Sequence, residues 1–176
     1  FHTGDIGEFD DDGFLRITDR KKDLFKLSTG KYVMPQPIEN QLSTEPLVDQ
    51  AVVVGESEQF CAALIFPIED QLRAQAEDME IEAENVALES LIQEPAIIDL
   101  YQGLVHKANE GMDHWSTVKR FALVPAALTV ESGLLTPTMK VKRPKIRESF
   151  GDEIKALYTE GDEDTTPRKD NGVIVA

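Results

Sequence analysis

The sequence predicts an α+β domain, helices packed on a small mixed or antiparallel sheet, preceded by a β-hairpin. Three observations carry that expectation. Ala51 to Val54 and Cys61 to Phe66 are apolar runs rich in β-branched or aromatic residues, joined by a polar turn with a glycine, as paired strands are. Ile97, Leu100, Tyr101, Leu104 and Val105 recur with the helical period, and that run closes near Gly111. Strand and helix patterns are mixed along the chain without regular βαβ alternation. At 176 residues, 41% of them hydrophobic, the chain is long enough for one compact domain with a buried core.

The remaining elements follow in order. Ile6 to Phe9 and Phe14 to Ile17 flank Asp10-Asp11-Asp12-Gly13, turn chemistry that predicts a hairpin, and Thr18 to Lys22 is a charged connector. Leu24 to Leu27 and Lys31 to Met34 read as strands around Ser28-Thr29-Gly30, where Gly30 permits a tight turn and close approach by a ligand. Pro35-Gln36-Pro37-Ile38-Glu39 starts a helix, because proline in a first turn forfeits no hydrogen bond. The hairpin of Ala51 to Phe66 is expected to be central. Residues 69–94 hold nine acidic residues and one Arg, which suits short surface helices with solvated faces and no chemistry. Val118 to Val124 predicts one more strand, and Ile146, Phe150, Ile154 and Leu157 predict one last helix. From 159 to 176 the chain is acidic and small-residue-rich, and a frayed tail is expected.

Composition excludes several functions. A net charge of −15 argues against nucleic acid as a general partner. No apolar run approaches the roughly 20 residues that cross a bilayer, and no secretory leader pattern opens the chain, so a soluble cytoplasmic protein is expected. The single Cys61 sits in an apolar run and reads as a buried, inert thiol. His2, His106 and His114 are too scattered for a metal site or a nucleophilic triad, and Trp115 reads as packing. Eleven of the 18 basic residues nevertheless fall in two windows, from Arg16 to Lys31 and from Lys140 to Arg147.

Three segments in order bear a wider pattern. They are Thr3-Gly4-Asp5; then Asp19-Arg20-Lys21-Lys22-Asp23-Leu24-Phe25-Lys26, running on to Gly30-Lys31 and Pro35-Gln36-Pro37-Ile38-Glu39; and Leu135-Thr136-Pro137-Thr138-Met139-Lys140. Together they resemble the closing motifs of the adenylate-forming superfamily, most closely the long-chain fatty acyl-CoA synthetases. Each motif alone is weak; three in order at plausible separation are specific. The resemblance implies the C-terminal lid of an enzyme that activates a fatty acid with ATP to acyl-AMP and passes it to coenzyme A.

What the resemblance implies for single residues can be set beside their chemistry. Lys140 would be catalytic, one long ammonium reaching both the carboxylate and the α-phosphate. Asp5 would grip the AMP ribose and Arg20 would face the nucleotide. Lys22 would be the hinge. Lys26, Ser28, Thr29, Gly30 and Lys31 would form the turn facing coenzyme A during thioester formation, although a plain hairpin turn with flanking lysines fits those residues nearly as well. The superfamily carries Gly before the catalytic lysine where this chain has Met139, and many relatives have Gly where it has Thr29. Thr136 to Thr138 are expected to give Lys140 an extended, stiff approach. Lys142 to Arg147 read as solvated or helix-flanking.

The abrupt opening at Phe1-His2-Thr3 suggests a cut from something longer. Residues 1–21 are then expected to close an N-terminal adenylate-binding domain, 22–158 to form the lid, and 159–176 to form the tail. Mg²⁺ would be held mainly by ATP and the absent domain, the fragment alone would be inactive, and peripheral membrane association of the longer enzyme is an open expectation. Two other readings stay open: a free-standing acidic interaction module, and the lid of a ligase that hands acyl-AMP to a carrier protein.

Overall fold

The computed structural model describes residues 5–9, 12–20, 24–159, 168–170 and 173–175. β1 (Asp5–Phe9) and β2 (Leu15–Arg20) form the expected antiparallel hairpin, and Asp5 and Arg20 are partners in its register. The strand takes in Thr18, Asp19 and Arg20, part of the stretch read as a connector. β3 (Phe25–Lys26) and β4 (Tyr32–Val33) form a second small hairpin.

The main sheet has five strands. β5 (Val48–Val54) pairs antiparallel with β6 (Cys61–Pro67), β6 runs parallel to β7 (Val118–Leu123), and β8 (Arg168–Asp170) and β9 (Val173–Val175) complete the order β5-β6-β7-β9-β8. The hairpin expected to be central is therefore only half central: β6 is interior, but β5 is an edge. β8 and β9 lie where a frayed tail was expected. The β-branched run Val173-Ile174-Val175 pairs through Ile174 and Val175 with Leu123 and Ala122 of β7, a signal that the acidic residues upstream of it obscure.

The parallel step from β6 to β7 needs a crossover, and residues 68–117 supply it. They carry α2 (Glu69–Asp78), α3 (Leu88–Leu91) and α4 (Pro95–Ala108). The single Arg of the acidic stretch, Arg73, pairs with Glu69 and donates to the carbonyls of Ala83 and Val86, tying the loop after α2 back onto the helix. α1 (Gln36–Leu42) precedes β5. The predicted last helix is two: α5 (Arg143–Ser149) and α6 (Gly151–Tyr158), broken at Phe150, whose ψ of 33° leaves the helical range. Phe150 is buried there against Phe66, edge to face at 5.4 Å between ring centroids.

Strand alternation divides the core into two layers. Ala51, Val53, Cys61, Ala63, Ile65, Phe121 and Leu123 face α1, α2 and α4; Val52, Val54, Ala62, Leu64, Phe66, Ala122 and Val124 face α5, α6 and the loop from Leu128 to Leu135. Burial on both faces explains why β5 and β6 read as continuous apolar runs instead of alternating ones. Cys61 is wholly buried, its Sγ reaching Trp115 O at 3.5 Å, and burial pushes its thiol up to about 11, which keeps it protonated and unreactive. No helix among the described residues is long and apolar enough to cross a membrane.

The β5–β6 turn is built without room for a side chain at Gly55. Its φ is +152°, and a Cβ would lie 2.9 Å from Phe60 O and 3.1 Å from the Phe25 ring. Gly55→Ala is expected to lower unfolding stability by about 1–3 kcal/mol, read as a shifted urea midpoint at unchanged slope. An unshifted midpoint would contradict this packing.

Candidate functional site

Two loops carry the candidate residues, and they are the same local device. In the first, Leu27 N donates to Lys31 O at 2.9 Å, Gly30 N donates to Leu27 O at 2.9 Å, and Gly30 has φ +89°. In the second, Thr136 N donates to Lys140 O at 2.8 Å, Met139 N donates to Thr136 O at 2.8 Å, and Met139 has φ +60°. Each is a three-residue hairpin loop whose last residue is left-handed, and each places a lysine directly after that residue. The approach to Lys140 is thus a closed loop, not the extended segment expected. Pro137 sits at its corner, where a fixed φ suits the turn. Thr136 Oγ1 closes it further, accepting Lys140 N–H at 3.0 Å and meeting Thr138 Oγ1 at 3.0 Å.

This geometry accounts for a glycine at the position of Met139, and nothing in the structure explains the methionine. The position demands left-handed backbone, which glycine adopts freely, and Met139 is 61% exposed, so no packing rewards its side chain.

The two loops are rooted in opposite core layers. Phe25, Leu27 and Val33 anchor the first in the α1/α4 layer; Leu134 and Leu135 anchor the second in the α5/α6 layer. Ser28 N donates to Glu58 O at 2.8 Å and Ser57 N to Lys26 O at 2.9 Å, so the β5–β6 turn braces the first loop. Ser28, Thr29, Gly30 and Lys31 are exposed, and a Cβ on Gly30 would approach nothing closer than Lys26 Cε at 4.0 Å. The Lys31 ammonium lies 4.4 Å from the Trp115 ring centroid, and that of Lys26 lies 5.6 Å from Tyr32. Trp115 is therefore packing, as expected, and also a cation–π platform, worth about 0.5–1 kcal/mol at an exposed lysine. Lys140 is exposed at the tip of the second loop.

Between the loops lies an interaction that the sequence reading missed. Glu39 of α1, 8% exposed, receives both Arg143 Nη2 contacts, at 2.9 and 2.7 Å, and also accepts Val53 N–H at 2.7 Å. Arg143 Nη1 donates to Val53 O at 3.2 Å. Arg143 is therefore not a solvated residue of a basic run. Its neighbours are also engaged, Lys145 with Glu148 and Arg147 with Glu56. An open groove of about 780 Å³ runs from Leu24 and Phe25 past Glu56 to Val141 and Lys142.

Not every candidate is brought together. Asp5 and Arg20 meet only as partners in the β1–β2 register. Lys22, read as the hinge, lies outside the described residues. Among the described residues no cluster of His, Cys, Asp or Glu is suited to a metal ion.

The family model for the AMP-binding enzyme C-terminal domain matches residues 22–162. The chain belongs to that family. Among curated relatives, the long-chain-fatty-acid–CoA ligase FadD15 of Mycobacterium tuberculosis is 38% identical over 158 residues, covering 90% of this chain and 26% of the relative. Long-chain-fatty-acid–CoA ligase 1 of Homo sapiens is 36% identical over 161 residues, with 90% and 23% covered. The chain thus spans about a quarter of the length of the relatives it matches. Among solved structures, the adenylation domain of a carboxylate reductase from Mycobacterium chelonae superposes with a TM-score of 0.71 at 28% identity, covering 90% of this chain and 23% of that one. The A domain of a carboxylic acid reductase from Segniliparus rugosus, in complex with AMP and a co-purified carboxylic acid, gives 0.66 at 28% identity, with 89% and 23% covered. The α+β expectation and the family resemblance both hold.

The left-handed loop positions make a graded prediction for urea denaturation. Met139→Gly should leave stability unchanged or raise it by up to about 1 kcal/mol, and Met139→Val should lower it by about 1–2 kcal/mol, since a β-branched residue is worst placed at positive φ. Equal effects of the two substitutions would refute the assigned backbone.

Proposed function

We propose that this chain is the C-terminal lid of an AMP-forming fatty acid–CoA ligase. The reaction is ATP plus a fatty carboxylate giving acyl-AMP and pyrophosphate, then attack of the coenzyme A thiol giving acyl-CoA and AMP. The observation that carries this reading is the pair of matching loops, each presenting a lysine, rooted in opposite layers of one small domain. Two separate cationic tips suit two successive half-reactions with different anions. The relatives' names support a fatty acid and coenzyme A as the substrates.

In the first half-reaction the Lys140 ammonium offsets repulsion between the carboxylate and the α-phosphate as charge builds in the transition state. Its loop is closed by backbone and threonine hydrogen bonds, so little order remains to be imposed when the lysine enters the site. In the second, the loop of Ser28, Thr29 and Gly30 takes its place. Gly30, without a Cβ, is assigned to the passage of the slim thiol arm, and Lys26 and Lys31 to the phosphates of coenzyme A, at the cost of leaving their aromatic rings. Asp5 and Arg20, paired in one hairpin, are assigned to the ribose and nucleotide. The hinge is placed at Lys22, with residues 1–21 as the rim of the larger domain and 22–158 as the lid. Mg²⁺ is assigned to the ATP phosphates and the larger domain; the donor set described here does not fit it, and no step is routed through it.

In the full-length enzyme, Lys140→Ala is expected to slow acyl-AMP formation by about 10²-fold or more while transfer from supplied acyl-AMP to coenzyme A stays within a few-fold of the parent. Unchanged acyl-AMP formation would remove Lys140 from the reaction.

A further inference from the structure

We propose that Glu39 and Arg143 are positioning residues for Lys140, acting through the edge of β5, an inference that rests on the role given to Lys140 above. Val53 is on the outer strand of the sheet, and its N–H and C=O are taken by Glu39 and Arg143 respectively. The guanidinium fork also grips both carboxylate oxygens of Glu39. One planar group thus fixes the start of α5 to α1 and to β5 at once, a geometry that a lysine cannot reproduce.

Arg143 follows Lys140 by three residues. Between them Leu135 and Val141 form a bridge and Lys142 N donates to Leu134 O at 2.8 Å, closing the base of the Lys140 loop. The incoming arm of that loop is held by the buried side chains of Leu134 and Leu135. The outgoing arm is held less firmly, because Val141 packs against the same layer only partly buried and Lys142 is likewise half-buried, so Arg143 adds the contacts that fix its register. Glu39 lies on the helix that directly follows the Gly30 hairpin, and the first loop has its own anchors in Phe25, Leu27 and the β5–β6 turn. Loosening Arg143 therefore displaces Lys140 and leaves the Gly30 loop in place. A merely structural ion pair would affect both loops alike.

The test uses the full-length enzyme with Arg143→Lys and, as a second variant that keeps the Val53 N–H bond, Glu39→Gln. Both half-reactions are timed separately, and hydrogen exchange is followed at the Lys140 and Lys142 amides. The expected result is acyl-AMP formation slowed by about tenfold to a hundredfold, thioester formation within twofold, and faster exchange at both amides. Proportional loss of both half-reactions, or loss of neither, overturns the proposal. Lys140→Ala run alongside separates the two claims: if it leaves acyl-AMP formation intact, the catalytic reading of Lys140 fails by itself. The exchange data then decide on positioning, unchanged protection at Lys140 and Lys142 in Arg143→Lys overturning it and lost protection supporting it.

Discussion

The domain is closed at one sheet edge by the buried carboxylate of Glu39, the one buried charge among the described residues. An edge strand exposes backbone donors and acceptors that must be satisfied, covered or blunted. Here Glu39 and Arg143 satisfy those of Val53 and in doing so join α1, which covers one face of the sheet, to α5, which covers the other. A carboxylate this buried is tolerable only with full pairing, since an uncompensated charge in such a place costs several kcal/mol. The pairing also restricts geometry. Because the fork contacts two carboxylate oxygens and a carbonyl together, α1, β5 and α5 cannot slide past one another without losing several bonds at once.

That constraint gives the two loops a fixed relation although they grow from different layers. Strand alternation alone would permit the layers to repack independently, as two apolar clusters separated by a sheet. The clamp makes them one body. Such stiffness holds the two loop tips in one constant relation, each on its own apolar anchor. The repeated loop design serves the same end: a left-handed residue followed by lysine ends each hairpin sharply and projects the side chain from a rigid base.

How much of this was legible in the sequence depends on the range of the interaction. The hairpins, α1, α4 and the apolar strands were readable because period and turn chemistry act within a few residues. The split of the last helix was not, since Phe150 and Ile154 keep helical spacing and the break accompanies the burial of Phe150 against Phe66, a residue far away in the sequence. β9 was hidden by composition, its three β-branched residues following an acidic stretch. The Glu39–Arg143 pair spans 104 positions and looked from either side like ordinary surface charge, one at a helix start and one in a basic run. Only the apolar context of Glu39, between Ile38 and Leu42 on a buried face, hinted that it would need a partner. The lysines of the two loops were found by motif; their shared loop geometry was not, because Gly30 and Met139 look unrelated until both prove left-handed.

The basic window at the end of the domain now divides by function. Arg143 is committed to Glu39, Lys145 to Glu148 and Arg147 to Glu56, so three of its five cations are neutralised at home. Among the described residues Lys140 has no such ion-pair partner. Lys142 has none among them either, so the window splits into three paired residues and two without an ion pair. For Lys140 the loop's own chemistry supplies the reason. Its side-chain hydrogen bonds come from Thr136 and Thr138, neutral hydroxyls that shape the backbone and leave the ammonium uncommitted. A lysine held this way has no side-chain bond to break before it could meet an anion, the condition under which the role proposed for it would act on a transition state instead of on its own surroundings.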